Sequence, residues 1–116
     1  MPPRYDLEER GYRFAKECRD FTHMLPRGIA NNEYIKQLIR SSGSQIANYI
    51  EANESLGRKD FLRQIRICIK EAKESGLWLG LCEIENNRLA EEKKSYLIKE
   101  ARELRKIFAA ILIKSK

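Results

Sequence analysis

Apolar side chains return at alternating intervals of 4 and 3 residues in separate stretches of this chain, and strand-type alternation is absent. That interval is the repeat of one helix face, so the architectures open to the chain are all-α. Leu7, Gly11, Phe14, Cys18, Phe21 and Leu25 mark the first face. Phe61, Ile65, Cys68, Ala72, Ser75, Leu79 and Cys82 mark another, and Ala90, Lys93, Leu97, Ala101, Leu104, Phe108 and Ile111 a third. Between the first and the second of these, Ile35, Leu38, Ile39, Ile46, Tyr49 and Ile50 hold one apolar phase.

Punctuation divides the pattern into four helices. Asp6 and Glu9 resemble a capping box opening a first helix that ends near Met24. Leu25-Pro26-Arg27-Gly28 breaks it, because proline cannot continue the hydrogen-bond ladder and glycine tolerates left-handed backbone. A second helix is predicted from Ala30 or Asn32 to Glu54, a turn at Ser55-Leu56-Gly57, a third helix ending near Asn86-Asn87, and a fourth from Leu89 to Lys114. Gly43 costs a helix about 1 kcal/mol relative to alanine, so continuity there rests on the unbroken apolar phase, against the alternative of a break at Ser41–Ser44. Four long helices with short turns predict an antiparallel up-down-up-down four-helix bundle, with residues 1–116 forming a single domain large enough for a core without metal or disulfides.

The second helix also carries a stripe of small and polar residues, Ser41, Ser44, Asn48, Glu51 and Ser55, where bundle helices ordinarily carry charge. Such a stripe is a packing code that lets neighbours approach closely. Glu71 and Glu74 on the third helix, with Arg40, Ser44, Asn48 and Glu51 on the second, predict a structural polar cluster in which Arg40 neutralises a carboxylate.

The net charge of +6 and the pI near 9.3 suit anionic partners, although a charge of this size also serves solubility. The excess is concentrated: residues 58–73 carry +4, and residues 89–116 carry another +4. Lys59, Arg63, Arg66, Lys70 and Lys73 recur 4, 3, 4 and 3 apart, opposite the Ile65–Cys68–Ala72 seam. A basic stripe along a helix can track a phosphate backbone, and it can equally be a solvated outer face, since no aromatic base-reading surface accompanies it.

Cys18, Cys68 and Cys82 are an odd number, without a Cys-x-x-Cys pair, at helix-core positions; reduced thiols in the cytoplasm are the simple reading. The N-terminus has no apolar signal core, and Ile107–Ile113 is far shorter than the roughly 20 residues of a membrane span. Leu77-Trp78-Leu79-Gly80-Leu81 and the 107–113 run are apolar nearly all round, so Leu77, Trp78, Leu81, Phe108, Ile111 and Leu112 are the expected contacts of a homo-oligomer. The alternative is a C-terminal tail packed over its own bundle.

Catalysis has no support. No Gly-x-Ser-x-Gly elbow, no Gly-rich phosphate loop and no cysteine–histidine arrangement is present. A di-iron bundle would want two Glu-x-x-His pairs, whereas the single histidine, His23, follows Asp20. Neither metal nor cofactor is expected, and His23 reads as a helix C-terminal residue.

Tyr5–Arg10, Ile29-Ala30-Asn31, Gln37–Ser44, Ala47–Ala52 and Ile67–Ser75 together resemble the bacterial four-helix-bundle proteins encoded within intervening sequences of 23S ribosomal RNA genes, over nearly the whole chain. That family is similar to the accessory variability determinant of diversity-generating retroelements, a basic homopentameric bundle that associates with a reverse transcriptase and nucleic acid. The resemblance implies a pentameric ring and a link to RNA, and it does not imply an enzyme. Two functions are expected to compete. One is a non-enzymatic homo-oligomer that binds nucleic acid, RNA above DNA; the other is a protein-binding scaffold or reverse-transcriptase accessory protein whose charge serves solubility.

Overall fold

Four helices organise residues 4–116, the part of the chain that the computed structural model describes: α1 (Arg4–Thr22), α2 (Ile29–Ala52), α3 (Arg58–Leu81) and α4 (Arg88–Ser115). Among the described residues there is no strand. The reading of the N-terminus as lacking a signal core falls partly on residues 1–3, outside the described residues, as are the side chains of residues 4 and 5.

Each helix packs on two others, in the cycle α1–α2–α3–α4–α1, with the α2–α3 and α3–α4 seams the most extensive. The 4-and-3 pattern lands on the core as expected: Phe14, Cys18, Phe21, Leu38, Ile65, Cys68, Leu79, Leu97, Leu104 and Phe108 are essentially inaccessible. At about 1.5–3 kcal/mol for each fully buried large apolar side chain, this interior is the dominant favourable term. Tyr49 and Phe108 meet across it with ring centroids 5.8 Å apart. Where α1 crosses α2, Gly11 is required by close approach, because a Cβ there would lie 2.7 Å from Ile46 Cγ1.

α2 runs unbroken through Gly43, so the apolar phase outweighed the propensity cost. Two boundaries differ from expectation. Asp6 sits within the first turn of α1 instead of capping it. α3 stops at Leu81, and 82–87 is a connecting segment rather than its last turn. The cause is Asn31 on α2, which is 4% exposed. Its side-chain oxygen accepts from Glu83 N at 2.8 Å, while Nδ2 donates to Glu83 O at 2.9 Å and to Pro26 O at 2.8 Å. Lys94 Nζ donates to Cys82 O at 2.9 Å. These partners draw the chain out of helical geometry. Asn86 then takes a left-handed φ of 35°, which asparagine tolerates, and the Asn87 side chain caps α4 by accepting from Ala90 N at 3.0 Å.

Side-chain bonds tie the other helix ends together. Asn53 donates to Glu8 at 3.2 Å and Arg58 to Ser115 O at 2.8 Å, while between the bodies of α1 and α4 Arg10 grips Glu100 with two bonds of 2.7 and 2.9 Å. That fork holds the Arg10 pKa above its ordinary value.

Candidate nucleic-acid interface

The helical repeat that buries Ile65, Cys68, Ala72 and Leu79 turns Lys59, Arg63, Arg66, Lys70 and Lys73 outward, and all five are exposed. They are not equivalent. Arg63 donates to Asp60 at 2.6 Å, and Lys70 Nζ stands 4.0 Å from Glu71. Lys59, Arg66 and Lys73, spaced by 7 residues, have no ion-pair or hydrogen-bond partner among the described residues.

Lys73 also lines a groove that the sequence pattern did not reveal. Ala72, Lys73 and Gly76 of α3 face Ile98, Ala101, Arg102 and Arg105 of α4 around a recess of about 320 Å³. Its floor is made of small side chains: a Cβ on Gly76 would sit 3.8 Å from that of Ala101. No carboxylate lines the recess, and neither Arg102 nor Arg105 has an ion-pair or hydrogen-bond partner among the described residues. The charge excess of residues 89–116 was visible in the sequence. Which of its members would face Lys73 depends on the register of α4 against α3, which a single-helix repeat does not contain.

The expected polar cluster is divided along the α2–α3 seam. Arg40 reaches across it to Glu71, 3.2 Å from Oε1 and 3.4 Å from Oε2, and to Glu74 at 3.1 Å. The Glu71 side chain is 6% exposed, so its charge is compensated chiefly by this guanidinium. Ser44 and Asn48 instead bond each other at 3.0 Å, and Glu51 accepts from Gln64 at 3.4 Å. The sequence stripe missed the innermost pair, Ser41 and Ser75, whose fully buried hydroxyls lie 2.9 Å apart. The repeat places Ser75 on the core face of α3 and Ser41 in the α2 stripe; their meeting is a matter of register.

A profile of the 23S rRNA-intervening sequence proteins matches residues 4–110. The chain belongs to that family. A crystal structure of a protein of unknown function from the S23 ribosomal protein family, from Bacteroides thetaiotaomicron VPI-5482, is similar to it over 94% of this chain and 96% of the other, with a TM-score of 0.76 and 25% identity. No curated protein matches the chain.

Within this 23S rRNA-intervening sequence protein, the residues expected at an oligomer contact are distributed unevenly. Leu77 and Leu81 are exposed, at 52% and 41%. Trp78 is half-buried and stacks on Tyr34 with centroids 6.2 Å apart. Ile111 and Leu112 are half-buried against the core. Phe108 is a correction: it is fully buried inside its own chain, against Tyr49, and offers no surface. The repeat that puts Phe108 on the Leu97–Leu104 face holds, and its expected place at an oligomer contact does not.

His23 is exposed just beyond α1, its N–H donating to Asp20 O at 3.1 Å. Among the described residues no three His, Cys, Asp or Glu side chains gather closely enough to hold a metal ion, and no helix is long and apolar enough to cross a membrane. The three cysteines are free and buried. Burial raises the pKa of all three thiols, that of Cys68 to about 12, so they are protonated and poor nucleophiles at neutral pH.

Proposed function

We propose that this chain is a non-enzymatic, basic, homo-oligomeric bundle that binds nucleic acid, with RNA preferred. The observation that carries the reading is the row of outward cations on α3, three of which have no counter-charge in the described fold. Membership of the 23S rRNA-intervening sequence family supports RNA over DNA. Three cysteines without a disulfide among them fit residence in a reducing compartment such as the cytoplasm.

We read the four helices as up-down-up-down. Connections of five or six residues reach at most about 21 Å, less than the roughly 36 Å length of α2 or α3, so each must leave near where its helix ended. The bonds Asn53–Glu8, Arg58–Ser115 and Asn31–Glu83 fit this, joining the end of one helix to the start of its neighbour. Tyr12 (64% exposed), Ile39 (47%), Ile50 (45%), Leu77 and Leu81 leave more apolar surface than one bundle covers, which supports self-association. The number five rests on the likeness to the retroelement accessory proteins. The same surface favours the second reading, a scaffold for another protein.

Fluorescence anisotropy with labelled RNA at several salt concentrations tests the main reading. The wild type should bind with a log-log salt slope reporting several phosphate contacts, and neutralising Lys59, Arg63, Arg66 and Lys70 together should weaken binding and flatten the slope. Salt-independent or absent binding would leave the scaffold. Light scattering tests the assembly, and a monomer would overturn it.

A further inference from the structure

We infer that the phosphodiester backbone of RNA seats in the groove between α3 and α4, held by Lys73, Arg102 and Arg105, while the crest of α3 at Lys59, Arg63 and Lys70 serves only to attract it. The inference rests on the nucleic-acid reading above and names the seat within it.

Three features separate groove from crest. First, counter-charge: on the crest Lys59 is unpaired, but Arg63 is held by Asp60 at 2.6 Å and Lys70 lies 4.0 Å from Glu71, so at two of its three cations a ligand must compete with carboxylates already in place. The groove is lined by three cations and no acid. Like charges gathered beside one recess repel one another, and an arriving anion relieves that repulsion as well as making contacts of its own.

Second, depth. Ala72, Gly76 and Ala101 keep the floor low, and Ile98 makes part of it apolar, so a phosphate there approaches closely in a medium less polarisable than bulk water. A recess of about 320 Å³ holds roughly ten waters, enough space for one sugar-phosphate strand and its departing solvent. Third, geometry. Arg102 and Arg105 come from one helix and Lys73 from the other, so a strand would be gripped from both sides. Guanidinium forks bind phosphate oxygens in pairs, where a lysine supplies a point charge. Arg66, two turns before Lys73 and about 10 Å along α3, extends the track beyond the groove.

The test compares two triple variants in binding a fluorescein-labelled single-stranded RNA of about 20 nucleotides, longer than a single-domain footprint. Lys73→Gln/Arg102→Gln/Arg105→Gln should lose about 30-fold or more in affinity, with the log-log salt slope shallower by about 2. Lys59→Gln/Arg63→Gln/Lys70→Gln should lose less than about 5-fold and slow association more than it speeds release. Gly76→Glu, which adds a carboxylate to the floor without removing a cation, should weaken binding as the groove triple does; circular dichroism should show wild-type helicity for all three. Equal or greater loss in the crest triple, with wild-type binding intact, overturns the groove and leaves the nucleic-acid reading standing. A wild type that ignores RNA overturns both. Displacement of the RNA by an acidic phosphoserine peptide at lower concentration than by unlabelled RNA overturns the RNA seat in favour of a protein partner.

Discussion

The two seams on either side of α3 treat charge in opposite ways. Against α2, Glu71 is nearly buried and answered by Arg40, and Ser41 and Ser75 close on each other. Against α4, Lys73, Arg102 and Arg105 stand around a recess with no answering group. A polar group already satisfied inside the fold contributes to helix register and has little left to offer a ligand, whereas one held out of reach of any counter-charge does the reverse. Under the RNA seat proposed above, one side of a single helix serves structure and the other recognition.

The largest expected effect would break the structural half. Arg40→Ala strands the Glu71 carboxylate and should lower unfolding free energy by about 2–3 kcal/mol, below the full value for a buried pair because Arg40 is half-exposed. Urea denaturation with an unchanged m-value checks it, and no change in midpoint would mean that water already carries the carboxylate. The interior shared by both seams should respond next, to alkali. Folded Cys68 titrates near 12 against an unfolded value near 9, so above pH 9 the unfolded chain binds fewer protons and stability falls as pH rises towards 12. The slope is at most about 1.4 kcal/mol per pH unit for one thiol. Arg40→Ala and Arg105→Gln should share that decline equally, measured by pH-dependent melting.

Smaller effects sharpen the contrast. Ser75→Ala removes the partner of Ser41 and should cost about 0.5–1.5 kcal/mol. Gly76→Ala, with its new methyl in ordinary contact with Ala101, should gain about 0.5–1 kcal/mol in stability. Arg105→Gln should change stability by less than about 0.5 kcal/mol, because nothing in the described fold depends on its charge. A large loss there would show that the groove cations hold the bundle together.

How far the sequence disclosed this follows from what a single-helix repeat can carry. It places each side chain around its own axis, so the buried faces of α1, α3 and α4 and the outward turn of Lys59–Lys73 were legible. Arg40 with Glu71 and Glu74 was also legible, because few other partners could satisfy carboxylates so close to a core face. Pairings that depend on how one helix slides along another were not: Ser41 with Ser75, and Lys73 with Arg102 and Arg105. The end of α3 was missed for a related reason. The repeat runs on through Cys82, but Asn31, some fifty positions earlier, takes both backbone groups of Glu83. The capture of Arg63 by Asp60, three residues away, is the kind of pairing that one helix's own spacing does carry.

That asparagine has a further consequence. By holding Pro26 and Glu83 with one amide, it joins the α1–α2 turn to the α3–α4 connection, so opening either costs a hydrogen bond to the group that holds the other. The two crossings therefore share one anchor, and whatever removes that amide frees both from it.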